Sequence, residues 1–220
     1  MTYDNIKLMI FDVDGTLYNQ KKLRFFMLQE LLGYYLIRPH KAWQINVLRH
    51  FRKEREKRAL IASENINIEH SQYLWCQEKV ERSVSEIKDI VGKWIHQKPL
   101  KYLPYCMYKN ASSLLTELKK RKIKTAVYSD YNAEKKIESL GISIDHIYSS
   151  EQEEIGALKP NPKGLDYIAS TLDIPKKDIL FIGDREDRDG ACAINAGISY
   201  LDVGKGNANL TFANLINYLK

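Results

Sequence analysis

Apolar residues are grouped along this chain in short runs, separated by longer segments of helical periodicity. The runs at residues 6–11, 124–130 and 178–184 have the length and apolar content of buried strands. A further short strand is expected before residue 158. From residue 104 onward, the alternation of strand and helix predicts βαβ units around a parallel sheet.

Five segments between and after these strands have the apolar spacing of amphipathic helices. They cover residues 111–120, 132–140, 162–171, 190–196 and 210–219. Gly141 and Gly197 stand where two of these helices would end, and Pro162 could occupy the first position of another. The pattern predicts an α/β fold class with a doubly wound, Rossmann-like parallel sheet as its core.

Residues 20–102 interrupt this alternation, because they contain no good strand and show long helical periodicity. One apolar helical face is formed by Trp43, Val47, Leu48 and Phe51. All three tryptophans fall in this segment, and packing in its own small core is their default interpretation. We predict a core of residues 1–19 and 103–220 and a helical domain of residues 20–102.

Positive charge is concentrated in one part of the chain. Residues 21–60 hold eleven lysines and arginines against three glutamates, whereas the whole chain has a net charge of +6. The densest run, residues 51–58, is interpreted as a solvated helix face with ion pairs such as Glu54 with Arg58. An electrostatic funnel for anionic substrates is one alternative. Nucleic-acid contact is another, but no recognised nucleic-acid module is present, so nucleic acid is not the expected partner.

Composition argues against several classes of protein. The first 14 residues include three acids and no long apolar stretch, so we expect neither a signal peptide nor a membrane span, and we predict a cytoplasmic protein. The three cysteines lack CxxC spacing, which fits reduced thiols. The five histidines lack metal-ligand spacing.

The densest candidate chemistry lies where the first strand ends, in the sequence Phe-Asp-Val-Asp-Gly-Thr-Leu at residues 11–17. Residues two apart on a strand point to the same side, so Asp12 and Asp14 would share one site. Two carboxylates held that close repel each other, which usually indicates a bound cation or acid/base chemistry. The alternative is an Asp-Gly turn that closes a strand.

Polar residues follow the other strands in the same way. Ser129 lies at the carboxyl end of the second strand, where open parallel sheets bind their ligands. Lys159 lies in a loop before a helix, and Asp184 ends the strand at 178–184, with Asp189 five residues later. In isolation, Ser129 would be a turn or cap residue and Lys159 a solvated surface charge. Their order along the chain favours a shared site.

In this order the motifs resemble those of the haloacid dehalogenase superfamily, specifically its Mg²⁺-dependent, phosphoglycolate phosphatase-like members. Asp-x-Asp-Gly-Thr-Leu at residues 12–17, Ser129, Lys159 before a proline, and Gly-Asp at residues 183–184 followed by Asp189 carry the resemblance. It covers most of the predicted core. The helical domain looks like the variable cap that many members insert after the first strand.

The resemblance implies a role for each of these side chains. Asp12 would be the nucleophile, would form an aspartyl-phosphate and would have to stay ionised. Asp14 would act as general acid and then as general base, which requires a raised pKa. Ser129 and Lys159 would be catalytic and would bind phosphate oxygens, together with the backbone N–H of Asp130.

The resemblance also implies Mg²⁺ as cofactor. Its ligands would be Asp12, Asp184 and the backbone carbonyl of Asp14, with Asp189 acting directly or through water. The ion and Lys159 would together neutralise the acidic cluster, so that a phosphate dianion can approach it.

Three further charged residues lie close in sequence to the candidate site residues. Asp130 and Asp187 are mainly structural in this interpretation, with Asp187 in the first turn of the following helix. Arg185 either contacts substrate or pairs with Glu186 and Asp189.

Within the superfamily, Asp14 narrows the reaction type. Dehalogenase members lack an acid two residues after the nucleophile, because a halide leaves without a proton. We therefore predict a phosphatase that hydrolyses a small phosphorylated metabolite. A sugar phosphomutase would share these residues and is an alternative. A non-catalytic binding module that uses the basic helical domain is an alternative from a different class.

Overall fold

The computed structural model describes residues 5–61 and 67–219 and contains one five-stranded, all-parallel sheet. The strands are β1 Leu8–Phe11, β2 Lys124–Ser129, β3 His146–Ser149, β4 Ile179–Gly183 and β5 Ser199–Asp202. They lie in the order β3-β2-β1-β4-β5. The predicted α/β class with a doubly wound parallel sheet is confirmed.

Helices connect and flank these strands. The α-helices are α1 Gln20–Ile37, α2 Gln44–Ala59, α3 Ile68–Gln77, α4 Val84–Val91, α5 Leu103–Cys106, α6 Lys109–Lys120, α7 Glu134–Leu140, α8 Lys163–Thr171, α9 Ala191–Ala196 and α10 Ala208–Leu219. Short 3₁₀ turns cover Pro39–Lys41, Leu100–Tyr102 and Lys176–Asp178, and π-helical turns cover Gly92–Gln97 and Glu186–Gly190. Within the described residues, no helix combines the length and apolarity that crossing a bilayer requires.

The topological switch point of the sheet lies at β1. The chain runs from β1 to β2 and β3 on one side, then returns to β4 and β5 on the other. The strand order therefore reverses at β1, and crevices at such reversals hold the ligands of open α/β sheets. Phe11, the last residue of β1, pairs with Val127 of β2 and Ile182 of β4, so the ends of all three strands lie close together.

Apolar layers cover both faces of the sheet, which explains why its central strands are continuous apolar runs rather than alternating ones. Met9, Phe11, Val127, Leu180 and Ile182 pack on one face against helices that include α6, α7 and α10. Leu8, Ile10, Ala126, Ile179 and Phe181 pack on the other face against α8 and α9.

Some element bounds differ from the sequence predictions. Gly141 and Gly197 do end α7 and α9, with the left-handed φ values of 66° and 69° that glycine accommodates most easily. Pro162 is not the first helical residue, because it caps α8 from outside. β5 was not predicted from the sequence. This edge strand pairs only with β4, and each of its four residues is half-buried, so it lacks the apolar run of a central strand.

The helical segment, residues 20–102, has an apolar cluster of its own, and its residues 62–66 lie outside the described part of the chain. Val47, Leu48 and Phe51 of α2 are buried there, as their spacing predicted, and Trp94 joins them. Trp75 differs from the default expectation. It packs with Ala59, Ile68 and Leu158, so it joins the helical segment to the loop that carries Lys159.

Candidate active site

The candidate site lies at the carboxyl ends of β1, β2 and β4, referred to below as the catalytic edge. Asp12 directly follows β1, and its backbone N–H donates to the carbonyl of Ile182 in β4 at 2.8 Å. Ser129 ends β2, and Asp184 directly follows β4. Regular pairing of the strands therefore gathers side chains that are far apart in the sequence.

Three carboxylates converge at this edge. One oxygen each from Asp12, Asp184 and Asp189 lies within 4.8 Å of the other two. Burial raises the pKa of Asp12, and the two neighbouring carboxylates raise it further against the opposing charge of Lys159. Burial and the charge of Asp189 raise the pKa of Asp184 to about 6. Full ionisation of the cluster is therefore disfavoured without a further cation, and the ionised Asp12 expected from the resemblance requires one.

Lys159 is the fixed cation of this cluster. Its Nζ lies 2.6 Å from Oδ1 of Asp12 and 2.5 Å from Oδ1 of Asp189, and the side chain is buried. Burial opposes the charge of Lys159, but the carboxylates of Asp12 and Asp189 outweigh it and hold the pKa well above its ordinary value. The second oxygen of Asp12 accepts a 3.1 Å hydrogen bond from Thr16.

The residues of this cluster fit a hard divalent cation. Oδ1 of Asp184 is buried and has no hydrogen-bond partner among the described residues. Carboxylate oxygens are the donors that Mg²⁺ prefers, and a divalent charge would favour full ionisation of the cluster. Gly15, at a φ of 104°, lets its loop approach Asp184 closely, since a Cβ there would stand 2.2 Å from Oδ2. The Asp14 carboxylate is outside this group, and metal binding by its backbone carbonyl stays a prediction.

Asp14 is held by a lysine that the sequence analysis did not single out. Both of its oxygens lie 2.6 Å from Nζ of Lys136, and Oδ1 also accepts a hydrogen bond from Tyr18. Burial alone would raise the pKa of Asp14, but the charge and hydrogen bonds of Lys136 and the hydroxyl of Tyr18 lower it. The expected raised pKa is therefore wrong for this arrangement, because the pairing of Lys136 with Asp14 could not be predicted from the sequence.

A signal for Lys136 was present in the sequence. Ala133, Lys136, Ile137 and Leu140 have the i, i+3, i+4, i+7 spacing of one helical face. The three apolar members of that face are buried in the core, and Lys136 is 9% exposed. A lysine on an apolar face needs an anionic partner, and Asp14 is that partner.

Ser129 and Asp130 lie together after β2. Ser129 is buried, and its Oγ accepts a 3.3 Å hydrogen bond from the backbone N–H of Tyr131. The carboxylate of Asp130 accepts hydrogen bonds from the Ser150 hydroxyl, the backbone N–H of Lys159 and the guanidinium of Arg188. These contacts support the structural interpretation of the Asp130 carboxylate. Phosphate binding by Ser129 and by the Asp130 backbone stays a prediction.

The basic run of α2 is not a solvated face throughout. Glu54 and Arg55 are buried, and Arg58 pairs with Glu78 at 2.9 Å, so the predicted pair of Glu54 with Arg58 is wrong. Arg55 instead donates to the carbonyl of Asp130 at 2.5 Å and lies over the ring of Tyr131, 4.0 Å from its centre. Packing against the catalytic edge, which no local spacing reveals, turns this arginine inward.

The neighbouring Glu56 connects α2 to the loop after β4. It accepts hydrogen bonds from Arg185 at 2.8 Å and from Arg188 at 3.0 Å. Arg185 also pairs with Asp187 at 2.8 Å, so the alternative in which its side chain pairs with Glu186 and Asp189 is wrong. The backbone of Arg185 does contact Asp189: its N–H donates to the carboxylate at 3.1 Å, and its carbonyl accepts from the backbone N–H of Asp189 at 2.7 Å. The other alternative, contact with substrate, stays a prediction.

A histidine of the helical segment faces the same region. His96 lies edge-on to Tyr131, with ring centres 5.8 Å apart. Burial and the charges of Lys136 and Arg55 lower its pKa to about 4, so the ring is neutral near pH 7. From the sequence, the five histidines were noted only to lack metal-ligand spacing, and nothing there placed this one near Asp14.

Comparison with known proteins identifies relatives of this arrangement. The sequence profile described as haloacid dehalogenase-like hydrolase matches residues 9–203. No curated protein gives a significant sequence match.

Several solved structures resemble most of the chain. A 2-haloacid dehalogenase from Pseudomonas syringae pv. tomato DC3000 has a TM-score of 0.62 at 16% identity, over 96% of this chain and 98% of that one. An HAD phosphatase from Thermococcus onnurineus has a TM-score of 0.60 at 15% identity, over 92% and 88%. An L-2-haloacid dehalogenase from Xanthobacter autotrophicus, with chloropropionic acid covalently bound, has a TM-score of 0.59 at 17% identity, over 97% and 86%. At such low identities, these similarities show a common fold and no particular reaction.

Proposed function

The chain belongs to the haloacid dehalogenase-like hydrolases, and we propose that within this family it is a phosphatase that hydrolyses small phosphate monoesters. The observation that carries the proposal is the second carboxylate, Asp14, which is held beside Asp12 by Lys136 and Tyr18. A departing alkoxide needs a proton, whereas a departing halide does not. A positioned second carboxylate therefore supports ester hydrolysis over dehalogenation.

In the first half-reaction, a carboxylate oxygen of Asp12 attacks the phosphorus atom. A bond forms between Asp12 and phosphorus, the bond from phosphorus to the alcohol oxygen breaks, and a proton on Asp14 passes to that oxygen. The approach of a phosphate dianion raises the pKa of a nearby carboxyl group and so favours the protonated Asp14 that this step uses. Thr16 and Lys159 contact the two oxygens of Asp12 and orient its carboxylate.

In the second half-reaction, water attacks the phosphorus atom of the aspartyl-phosphate. Asp14, now a carboxylate, takes a proton from this water, and the bond between phosphorus and Asp12 breaks to release inorganic phosphate. The lowered pKa of Asp14 beside Lys136 supports this role, because it favours the ionised form that accepts the proton.

The acidic cluster would hold Mg²⁺ in this proposal, through Asp12, Asp184, Asp189 and the backbone carbonyl of Asp14. When bound, the ion would stabilise negative charge on the transferred phosphoryl group. Lys159 and the hydroxyl of Ser129 would bind and orient the phosphoryl oxygens from the protein side. The raised pKa values of Asp12 and Asp184 support a site that needs a further cation.

The helical segment would serve as the cap over this site, as in phosphoglycolate phosphatase-like members. Arg55 and Glu56 of α2 support this assignment, since they contact the loops that carry Asp130 and Arg188. Under a cap of this kind the substrate would be a small phosphorylated metabolite, and we propose that the protein works in the cytoplasm.

The proposal is tested by phosphate release from a broad panel of phosphate monoesters, with and without Mg²⁺. The native protein is compared with Asp12→Asn and with a control, Asp187→Asn, which removes an exposed carboxylate from the loop after β4. Halide release from 2-chloropropionate is measured alongside. We expect metal-dependent phosphate release by the native protein and the control, and at least about a thousandfold loss in Asp12→Asn.

Two outcomes would overturn the proposal. Halide release without phosphate release would assign the dehalogenase reaction. Full phosphatase activity in pure Asp12→Asn would exclude the covalent route through this residue. Far-ultraviolet circular dichroism of each variant verifies that the fold is intact.

A further inference from the structure

Lys136 occupies an unusual place beside the proposed acid/base residue. Its Nζ lies 2.6 Å from each oxygen of Asp14, although the two residues are 122 positions apart in the sequence. The lysine side chain is 11% exposed, whereas that of Asp14 is 23% exposed. Lys136 is therefore the more buried member of the pair, and Asp14 keeps some access to solvent.

The fold determines the position of Lys136. It lies in α7, whose residues Ile137 and Leu140 are anchored in the core on one side of the sheet. Its Nζ also lies 5.4 Å from the ring centre of Tyr131. A helix that is held by apolar packing directs this ammonium more precisely than a loop would.

The contacts of Asp14 distinguish its two oxygens. Oδ1 accepts hydrogen bonds from both Lys136 and Tyr18, whereas Oδ2 accepts one only from Lys136 among the described residues. A carboxylate oxygen can accept more than one hydrogen bond. Oδ2 therefore still has a lone pair that can accept or release a proton. The two hydrogen bonds at Oδ1 fix the orientation of the Asp14 carboxylate.

We propose that Lys136 is a positioning residue that fixes Asp14 so that Oδ2 faces the leaving-group oxygen of the substrate. The inference rests on the proposed phosphatase function and extends it to a residue outside the family motifs. General acid catalysis depends on correct geometry between the acid and the oxygen that it protonates. Without Lys136, the hydrogen bond from Tyr18 to Oδ1 would be the one remaining contact of the Asp14 carboxylate among the described residues. The carboxylate could then rotate about this contact.

The leaving group supplies a readout that a merely structural role would not affect. An alkyl phosphate departs as a strongly basic alkoxide and depends on the proton from Asp14. An aryl phosphate such as 4-nitrophenyl phosphate departs as a weakly basic phenolate and depends on it far less. The ratio kcat/KM covers the steps up to this departure, so it excludes the later hydrolysis in which Asp14 acts as base.

The experiment compares native protein, Lys136→Met, Lys136→Arg and a control, Lys135→Met, on 4-nitrophenyl phosphate and on the best alkyl phosphate from the substrate panel. Lys135 is exposed on the same helix. For Lys136→Met we expect kcat/KM to fall at least about tenfold on the alkyl ester and less than about twofold on the aryl ester. Lys136→Arg should recover part of the loss, and Lys135→Met should match the native protein.

Equal losses on both esters, or a rise in KM without a change in kcat, would overturn the inference, because Lys136 would then only bind phosphate or stabilise the fold. Unchanged kcat/KM on both esters in folded Lys136→Met would overturn it as well. These outcomes are distinct from failure of the proposed function, in which the native protein itself releases no phosphate from any ester.

Discussion

The catalytic edge and the helical segment bring charged residues together in two different ways. At the edge, Asp12 and Asp184 directly follow β1 and β4, so the pairing of two strands brings their carboxylates together. In the helical segment, Arg55 and Glu56 meet partners that lie 75 and 132 positions further along the chain. Strand ends therefore concentrate chemistry at positions that the local sequence defines, whereas helices deliver it through packing that only the folded chain defines.

The largest effect is expected at the catalytic edge, from Lys159→Met. This change removes the buried ammonium that contacts Asp12 and Asp189. Because unpaired buried carboxylates are costly, we expect the free energy of unfolding to fall by about 3 kcal/mol in urea titrations without divalent metal. Phosphatase activity should fall about a thousandfold. The control Lys177→Met, at an exposed lysine, should change neither quantity, and equal stability of the two variants would contradict a shared edge cluster.

Two glycines, one in each region, test the same difference with single methyl groups. In Gly15→Ala, the new Cβ would collide with Asp184 at a φ of 104°, so we expect the Mg²⁺ concentration for half-maximal activity to rise about a hundredfold. Gly33 lies in α1 with no atom near its absent Cβ. Gly33→Ala should therefore leave the metal dependence unchanged and stabilise the protein by about 1 kcal/mol. Equal metal titrations for both variants would argue against Asp184 as a ligand.

The difference between the regions also explains which parts could be predicted. Asp12 and Asp184 were identified because each directly follows a strand, and parallel strands bring their carboxyl ends together. Lys159 lies in the loop between β3 and α8 and was identified from its place in the order of the motifs. The sheet followed from the same apolar runs. Only β5 was missed, because a half-buried edge strand has no continuous apolar run.

The contacts between elements could not be predicted in the same way. Arg55 was assigned to a solvated face, because a charged run on a helix is ordinarily exposed. Its burial depends on Tyr131 and the carbonyl of Asp130, which α2 meets only in the folded chain. Lys136 was partly predictable. Its apolar helical face was visible in the sequence, but its partner Asp14 was not.

A smaller effect tests how firmly the helical segment is held against the catalytic edge. Arg55→Met removes the hydrogen bonds to Gln72 and to the carbonyl of Asp130. Because buried polar groups would lose their partner, we expect the free energy of unfolding in urea to fall by about 2 kcal/mol. Arg52→Met removes an exposed arginine from the same helix and should have little effect. Equal effects of the two changes would show that the inward contacts of Arg55 add nothing to stability.

The smallest expected effect lies inside the helical segment, at Glu30 of α1. Its carboxylate accepts hydrogen bonds from Lys101, Tyr102 and Lys98. These hydrogen bonds lower its pKa from 4.5 to about 2. Between these values the unfolded chain binds more protons than the folded one, so the stability from Glu30 is complete above about pH 5 and is lost as the pH falls towards 2.

The side chain of Glu30 is 18% exposed, and solvent screening limits its contribution to about 1 kcal/mol. Glu30→Gln should therefore be less stable than the native protein by about this amount at pH 6, and the difference should vanish near pH 2 in urea titrations. A difference that does not change with pH would assign the stabilisation to neutral hydrogen bonds. The ion pairs of Glu30 would then stabilise the helical segment no more than ordinary surface ion pairs do. The difference in stabilisation between these ion pairs and the buried charges of the catalytic edge would be larger than the present comparison suggests.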